Sequence, residues 1–86
     1  MRELAKQVEE YVNRKDIHIL DRAIVNEVFY QYQNMKDCEY TEVENVNLTL
    51  EDIIKVANDV TSTYYMNEGL NELIEQWLFT AINEYN

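Results

Sequence analysis

Between Gly69 and Tyr85 the apolar side chains return with the period of an α-helix. Leu70, Leu73, Ile74, Trp77, Ala81 and Tyr85 fall within roughly 120° of arc at 100° per residue, and the chain contains no proline to interrupt them. A stripe of this kind has to be buried against other elements. A single helix of such length is marginal in water, so the remaining residues must supply its packing partners.

The spacing predicts three further helices. Over about residues 2 to 15, Leu4, Val8, Tyr11 and Val12 share one face with Ala5 at its edge, and Glu10 and Arg14 pair at i,i+4 on a mixed-sign outer face. Asp21 is placed to cap a second helix over about residues 22 to 36. Its apolar positions Ile24, Val25, Val28, Phe29, Tyr32 and Met35 cover a broad arc, which marks it as the central helix. The junction between the two, "DIHIL" at 16 to 20, is expected to tuck its aliphatic side chains beneath the bundle. Thr49 with Asp52 three residues on forms a capping box, with Asp in place of the usual Glu. It opens a third helix over about residues 50 to 66 that buries Ile53, Ile54, Ala57, Val60 and Tyr64. Gly69, the only glycine, suits a helix end or tight turn next to the fourth helix, about 69 to 85.

Residues 37 to 48 keep no single period. Val46, Leu48 and Leu50 alternate as in a strand, but Glu42 and Glu44 fall on the same parity. A half-buried strand would have to bury both glutamates or none of the aliphatics. The expected fold is therefore all-α, a compact four-helix bundle in a single domain, with at most a short extended or β segment around residues 43–48.

Charge is divided unevenly along the chain. Up to Lys36 six acids balance six bases, whereas Asp37 onward holds eleven acids and one base, Lys55, so the whole net charge of −10 belongs to the second part. Six of those carboxylates crowd into "DCEYTEVENVNLTLED", residues 37 to 52. Such a field repels nucleic acid and anionic membranes and attracts a basic protein surface, at a rate that falls with salt. No apolar run approaches the roughly 18 residues of a membrane span, and the start "MRELAKQVEE" has no signal-peptide core. The one cysteine, Cys38, has no internal partner. A reducing, cytoplasmic setting is the expectation.

The most informative surface pattern lies opposite the core face of the fourth helix. Glu68, Glu72 and Glu75 form a stripe at i, i+4 and i+7, and Phe79 continues it at i+11. Carboxylates at i,i+4 without lysines between them repel by a few tenths of a kcal/mol, although the helix N-terminal dipole favours Glu68 and Glu72. A Phe on a polar face forgoes about 2 kcal/mol of burial unless something covers it, as an interface anchor ringed by carboxylates would be. The plain structural alternative is that Phe79 is covered by the acidic connector or a chain end. Tyrosine is plentiful, with seven in the chain. Tyr11, Tyr32 and Tyr64 fit a core rim, while Tyr30 lies off the apolar arc of its helix and Tyr40 sits among acids. Glu42 and Glu44, if extended, would stand about 6–7 Å apart, near the spacing of successive phosphates on one nucleic-acid strand.

Catalytic, metal and cofactor sites are not expected. His18, between Ile17 and Ile19, fits a structural role, and the acidic neighbours of Cys38 would blunt its thiolate. The acidic stretch lacks the order and the glycine of an EF-hand, and no phosphate loop is present. The third and fourth helices could form a helix-turn-helix, but the second of them carries acids and no base, so it cannot grip a phosphate backbone. Ser62 sits in "VTSTYY", not in the D-S-L of an acyl carrier protein. Tyr64-Tyr65 resembles the Tyr-Tyr pair in the binding surface of the colicin nuclease immunity proteins, which are acidic four-helix proteins of similar length. That likeness covers two residues and the general size. The proline and flanking motif of the family are missing, and no family is assigned on it.

The expected function is that of a small acidic inhibitor, not an enzyme, that binds a basic protein which normally handles DNA or RNA. Glu39, Tyr40, Glu42, Glu44, Glu68, Glu72, Glu75 and Phe79 would form the partner-binding surface, with carboxylates in the place of phosphates. Phage proteins that disarm CRISPR effectors or restriction enzymes, and nuclease antitoxins, are of this broad kind. The alternative is a structural or adaptor module that self-associates as a homodimer through Phe79, Tyr30 and Tyr65.

Overall fold

Val28, Ile53, Val60, Ile74 and Leu78 have no solvent exposure at all, and they come from three helices of a four-helix arrangement. The computed structural model describes residues 2–37, 47–63 and 69–84. These form α1 (Arg2–Val12), α2 (Ile19–Asp37), α3 (Leu50–Thr63) and α4 (Leu70–Glu84), with no strand among the described residues. The fold is an all-α four-helix bundle. α2 packs against each of the other three helices and α3 also meets α1 and α4, while α1 and α4 do not touch. The molecule is a slab of 34 × 32 × 20 Å, and its thickness corresponds to two helix layers of about 10 Å each.

The six apolar positions predicted on α2 are all buried, as its central place requires. Among the described residues no polar or charged residue is buried, so the core is held by apolar packing. α1 contributes Leu4 and Val8 fully and Ala5, Tyr11 and Val12 partly. In α3, Val56 joins Ile53, Ala57 and Val60 in the core, while Ile54 is only partly buried. α4 buries a wider arc than its sequence stripe. Leu78 and Ile82 are as deeply buried as Ile74, whereas Leu70 and Trp77 lie at the margin. The reason is that α4 packs on α2 and α3 together, so two flanks are covered rather than one. Tyr64 and Tyr85 lie outside the described residues.

The helix ends follow from specific hydrogen bonds. α1 stops at Val12, earlier than the spacing predicts, where the last turn tightens with Arg14 N donating to Tyr11 O at 3.1 Å. The Arg22 guanidinium reaches across to cap it, with Nη1 donating to Val12 O at 3.2 Å. The connector is pinned by Arg14, which donates to both carboxylate oxygens of Asp16 at 3.1 and 2.7 Å. That contact holds the Asp16 carboxyl below its ordinary pKa.

α2 begins three residues before the predicted start. His18, not Asp21, is the N-cap: its Nδ1 accepts the N–H of Leu20 at 3.1 Å and its carbonyl accepts the N–H of Arg22 at 3.1 Å. Asp21 falls instead in the first turn, where a negative charge meets the positive end of the helix dipole. Of the aliphatic residues of this junction Ile17 is half-buried, but the other two do not tuck under the bundle. Ile19 and Leu20 are 72% and 54% exposed.

The predicted capping box of α3 is present. Thr49 N donates to Asp52 Oδ2 at 2.9 Å and Asp52 N donates to Thr49 Oγ1 at 3.2 Å. Just ahead of it Leu48 is buried, and its N–H donates to the Tyr32 hydroxyl at 3.0 Å. Asn47 to Thr49 are irregular rather than a strand, and residues 43 to 46 lie outside the described residues. Gly69 stands as N-cap of α4, its carbonyl accepting the N–H of Leu73 at 3.2 Å. α4 is tied to α3 by Trp77 Nε1, which donates to Thr63 Oγ1 at 2.9 Å, and that hydroxyl donates in turn to Asp59 O at 2.8 Å.

Candidate partner-binding surface

Three of the eight predicted site residues, Glu72, Glu75 and Phe79, lie on α4 within the described residues. Glu39, Tyr40, Glu42, Glu44 and Glu68 lie outside them, as do Tyr65 and Cys38. Glu72 and Glu75 are both exposed, and α4 holds no Lys or Arg to neutralise them. Glu72 is partly committed to its own helix. Its Cδ lies 3.6 Å from where a Cβ on Gly69 would stand, which places the carboxylate over the positive N-terminal end of α4. Phe79 is half-buried and packed against the core. Part of its ring is therefore spent in holding the fold, and only the remainder is open to a partner.

Glu75 has a second environment. Together with Asn71 it forms one wall of a groove of about 410 Å³, opposite Glu27, Tyr30 and Asn34 of α2, with Met35 beneath. Gln31 bridges the two walls, its Nε2 donating to the backbone carbonyl of Asn71 at 3.2 Å. Tyr30 is 57% exposed, which makes it the one strongly exposed aromatic among the described residues. Its predicted position off the apolar arc is thereby explained: it faces this groove and not the core. Glu27 was not among the sequence candidates. The spacing of Glu27, Tyr30, Gln31 and Asn34 at i, i+3, i+4 and i+7 marks one flank of α2, but only the packing of α4 beside that flank turns it into a wall.

A smaller groove of about 270 Å³ lies between α1 and α3, lined by Gln7, Glu10, Tyr11, Arg14 and Leu50. Its charges are mixed, and Arg14 is already engaged by Asp16 and by the Tyr11 ring at 6.0 Å. His18 is consumed as a helix cap. The Tyr32 phenol, pushed up from its ordinary pKa chiefly by burial, belongs to the core. No group of three or more His, Cys, Asp or Glu side chains among the described residues is arranged to hold a metal ion. No helix among them is long and apolar enough to cross a membrane.

Comparison of the chain with protein-family models, curated proteins and solved structures finds no match.

Proposed function

We propose that the protein is a small, non-enzymatic acidic antagonist of a basic nucleic-acid-handling protein, of the CRISPR-effector, restriction-enzyme or nuclease type. Its carboxylates would occupy positions that phosphates take on the partner. The observation that carries this reading is the segregation of charge: eleven acids and one base follow Lys36. On α4 this leaves Glu72 and Glu75 exposed with no basic neighbour in the helix. A field of one sign steers a partner of the other sign and costs the fold some stability by self-repulsion. The same field excludes direct binding to nucleic acid or an anionic membrane.

The test is capture of a partner from the source cell at low salt, with the chain compared to its Glu72→Lys/Glu75→Lys variant. The reading predicts that capture is lost in the variant and falls steeply toward about 0.5 M salt, where screening shortens the reach of charge to a few ångströms. It further predicts that excess DNA or RNA displaces the captured protein. Capture indifferent to charge reversal, salt and nucleic acid would remove it. Self-association is disfavoured as the main activity, because two copies would bring like fields together.

A further inference from the structure

The groove between α2 and α4 brings together features that were separate in the sequence. An exposed aromatic ring, Tyr30, lines the same groove as the carboxylates of Glu27 and Glu75, with amide groups at Asn34 and Asn71 and a thioether floor at Met35. None of its lining side chains is cationic. The two bases of α2, Arg22 and Lys36, project roughly 140° and 180° round the helix from this flank at 100° per residue, and α4 has none. The Gln31 bond to the Asn71 carbonyl joins the two walls, so the groove is preformed. We propose that it seats an arginine side chain presented by a basic segment of the partner protein. The guanidinium would stack on Tyr30 and donate to Glu27 and Glu75.

The chemistry selects arginine over other occupants. A planar guanidinium stacks on an aromatic face and donates in a fork to carboxylates, which an ammonium cannot match. Anions are repelled by the two glutamates. An apolar side chain would cover Tyr30 but strip water from both carboxylates without pairing them. A second copy is a poor donor. Of its three arginines, Arg14 is held by Asp16 and Arg22 by the Val12 carbonyl, which leaves Arg2, and its net charge of −10 opposes approach. The inference rests on the antagonist reading for the nature of the partner, and it adds where and by what residue that partner is gripped.

An end-capped hexa-arginine peptide is the probe, titrated into the full-length chain at low salt and followed residue by residue by the shifts of backbone amide resonances. The site predicts shifts centred on Glu27, Tyr30, Asn34, Asn71 and Glu75, and weaker binding by hexa-lysine. Tyr30→Ser should weaken hexa-arginine about two- to fivefold, the equivalent of an exposed cation–π contact, and Tyr30→Phe should restore it. Glu27→Gln/Glu75→Gln should weaken it about fivefold or more, since two charge-assisted contacts are lost. Glu3→Gln/Glu84→Gln, with the same change of net charge at exposed positions outside the groove, should have less than about half that effect. All these side chains are on the surface, and circular dichroism of each variant checks that its fold is kept.

Equal weakening by the groove and control pairs, or shifts centred elsewhere, would overturn the arginine seat. In that case the antagonist reading would still stand or fall by its own capture experiment. Conversely, hexa-arginine seated in the groove, with cellular capture indifferent to charge, would sink the antagonist reading and leave the seat.

Discussion

The Tyr32 hydroxyl accepts the N–H of Leu48 at 3.0 Å in the core, on a side chain that is only 1% exposed. One phenol thus fills space in α2 and satisfies the backbone of the segment that leads into α3. Tyr32→Phe keeps the ring but leaves the Leu48 N–H without its acceptor, which should cost about 1–3 kcal/mol. Denaturant unfolding should show this as a lowered midpoint with an unchanged slope. A pH effect accompanies it. Burial raises the phenol above its ordinary pKa, against the opposing pull of the Leu48 hydrogen bond, so the folded state holds this proton more tightly than the unfolded one. Its contribution is fully present below the ordinary phenol pKa of about 10 and is lost as pH rises through the folded value. Alkaline unfolding above about pH 10 should therefore be less steep in Tyr32→Phe than in the parent. Identical alkaline limbs would show that Tyr32 is not the group responsible. His18 illustrates the same scale differently: the only imidazole of the chain, the natural suspect for catalysis, has its Nδ1 used to start a helix.

At the scale of elements, the sequence was most legible where one helix meets partners on one broad face. The apolar arc of α2 coincides with its buried side chains because α2 packs against all three other helices, so the whole of that arc is covered. The capping box at Thr49 was readable because its two residues act within one turn. The α2 start was missed because His18 caps with a ring nitrogen instead of a hydroxyl or carboxylate. Leu78 and Ile82 were missed because the width of a buried arc depends on how many neighbours a helix has, which periodicity does not encode. The groove was illegible for the same reason: Tyr30 and Glu75 are 45 positions apart in the numbering, and only the packing of α4 against α2 joins them. The cap of α4 offers a test of the local logic. Gly69 adopts no left-handed conformation, and an added Cβ would meet Glu72 at ordinary contact distance, 3.6 Å. Gly69→Ser supplies a capping hydroxyl and a stiffer unfolded chain, so it should stabilise by about 0.5–1 kcal/mol. Thr49→Ala, which breaks the α3 box, should cost about 1 kcal/mol by thermal or denaturant unfolding. A destabilising Gly69→Ser would mean that the helix end needs glycine for a reason other than its cap.

For the whole molecule, the decisive quantity is a charge of −10 on 86 residues. Two unit charges 10 Å apart repel by about 0.4 kcal/mol in water, and folding holds the acids closer than the expanded chain does. Screening relieves that repulsion. It also weakens attractive pairs, but an exposed pair such as Arg14–Asp16, whose side chains are 56% and 66% exposed, contributes only about 0–1 kcal/mol. Relief should therefore win. Raising sodium chloride from about 20 mM to about 0.3 M should increase stability by about 1 kcal/mol, a rise of about 4–8 °C in Tm for a domain of this size. Glu75→Gln/Glu84→Gln, at exposed positions away from the positive end of α4, should raise Tm at the low salt and have less effect at the high one, because the substitution and the salt remove the same repulsion. A Tm that falls with salt would place the balance with attractive contacts and undercut the claim that the acidic field is unpaid for within the fold. On the proposed function, the same titration should slow association with the basic partner, so that salt strengthens the folded chain while loosening its grip. That pair of opposite slopes is what a fold that tolerates self-repulsion in order to attract another protein has to show.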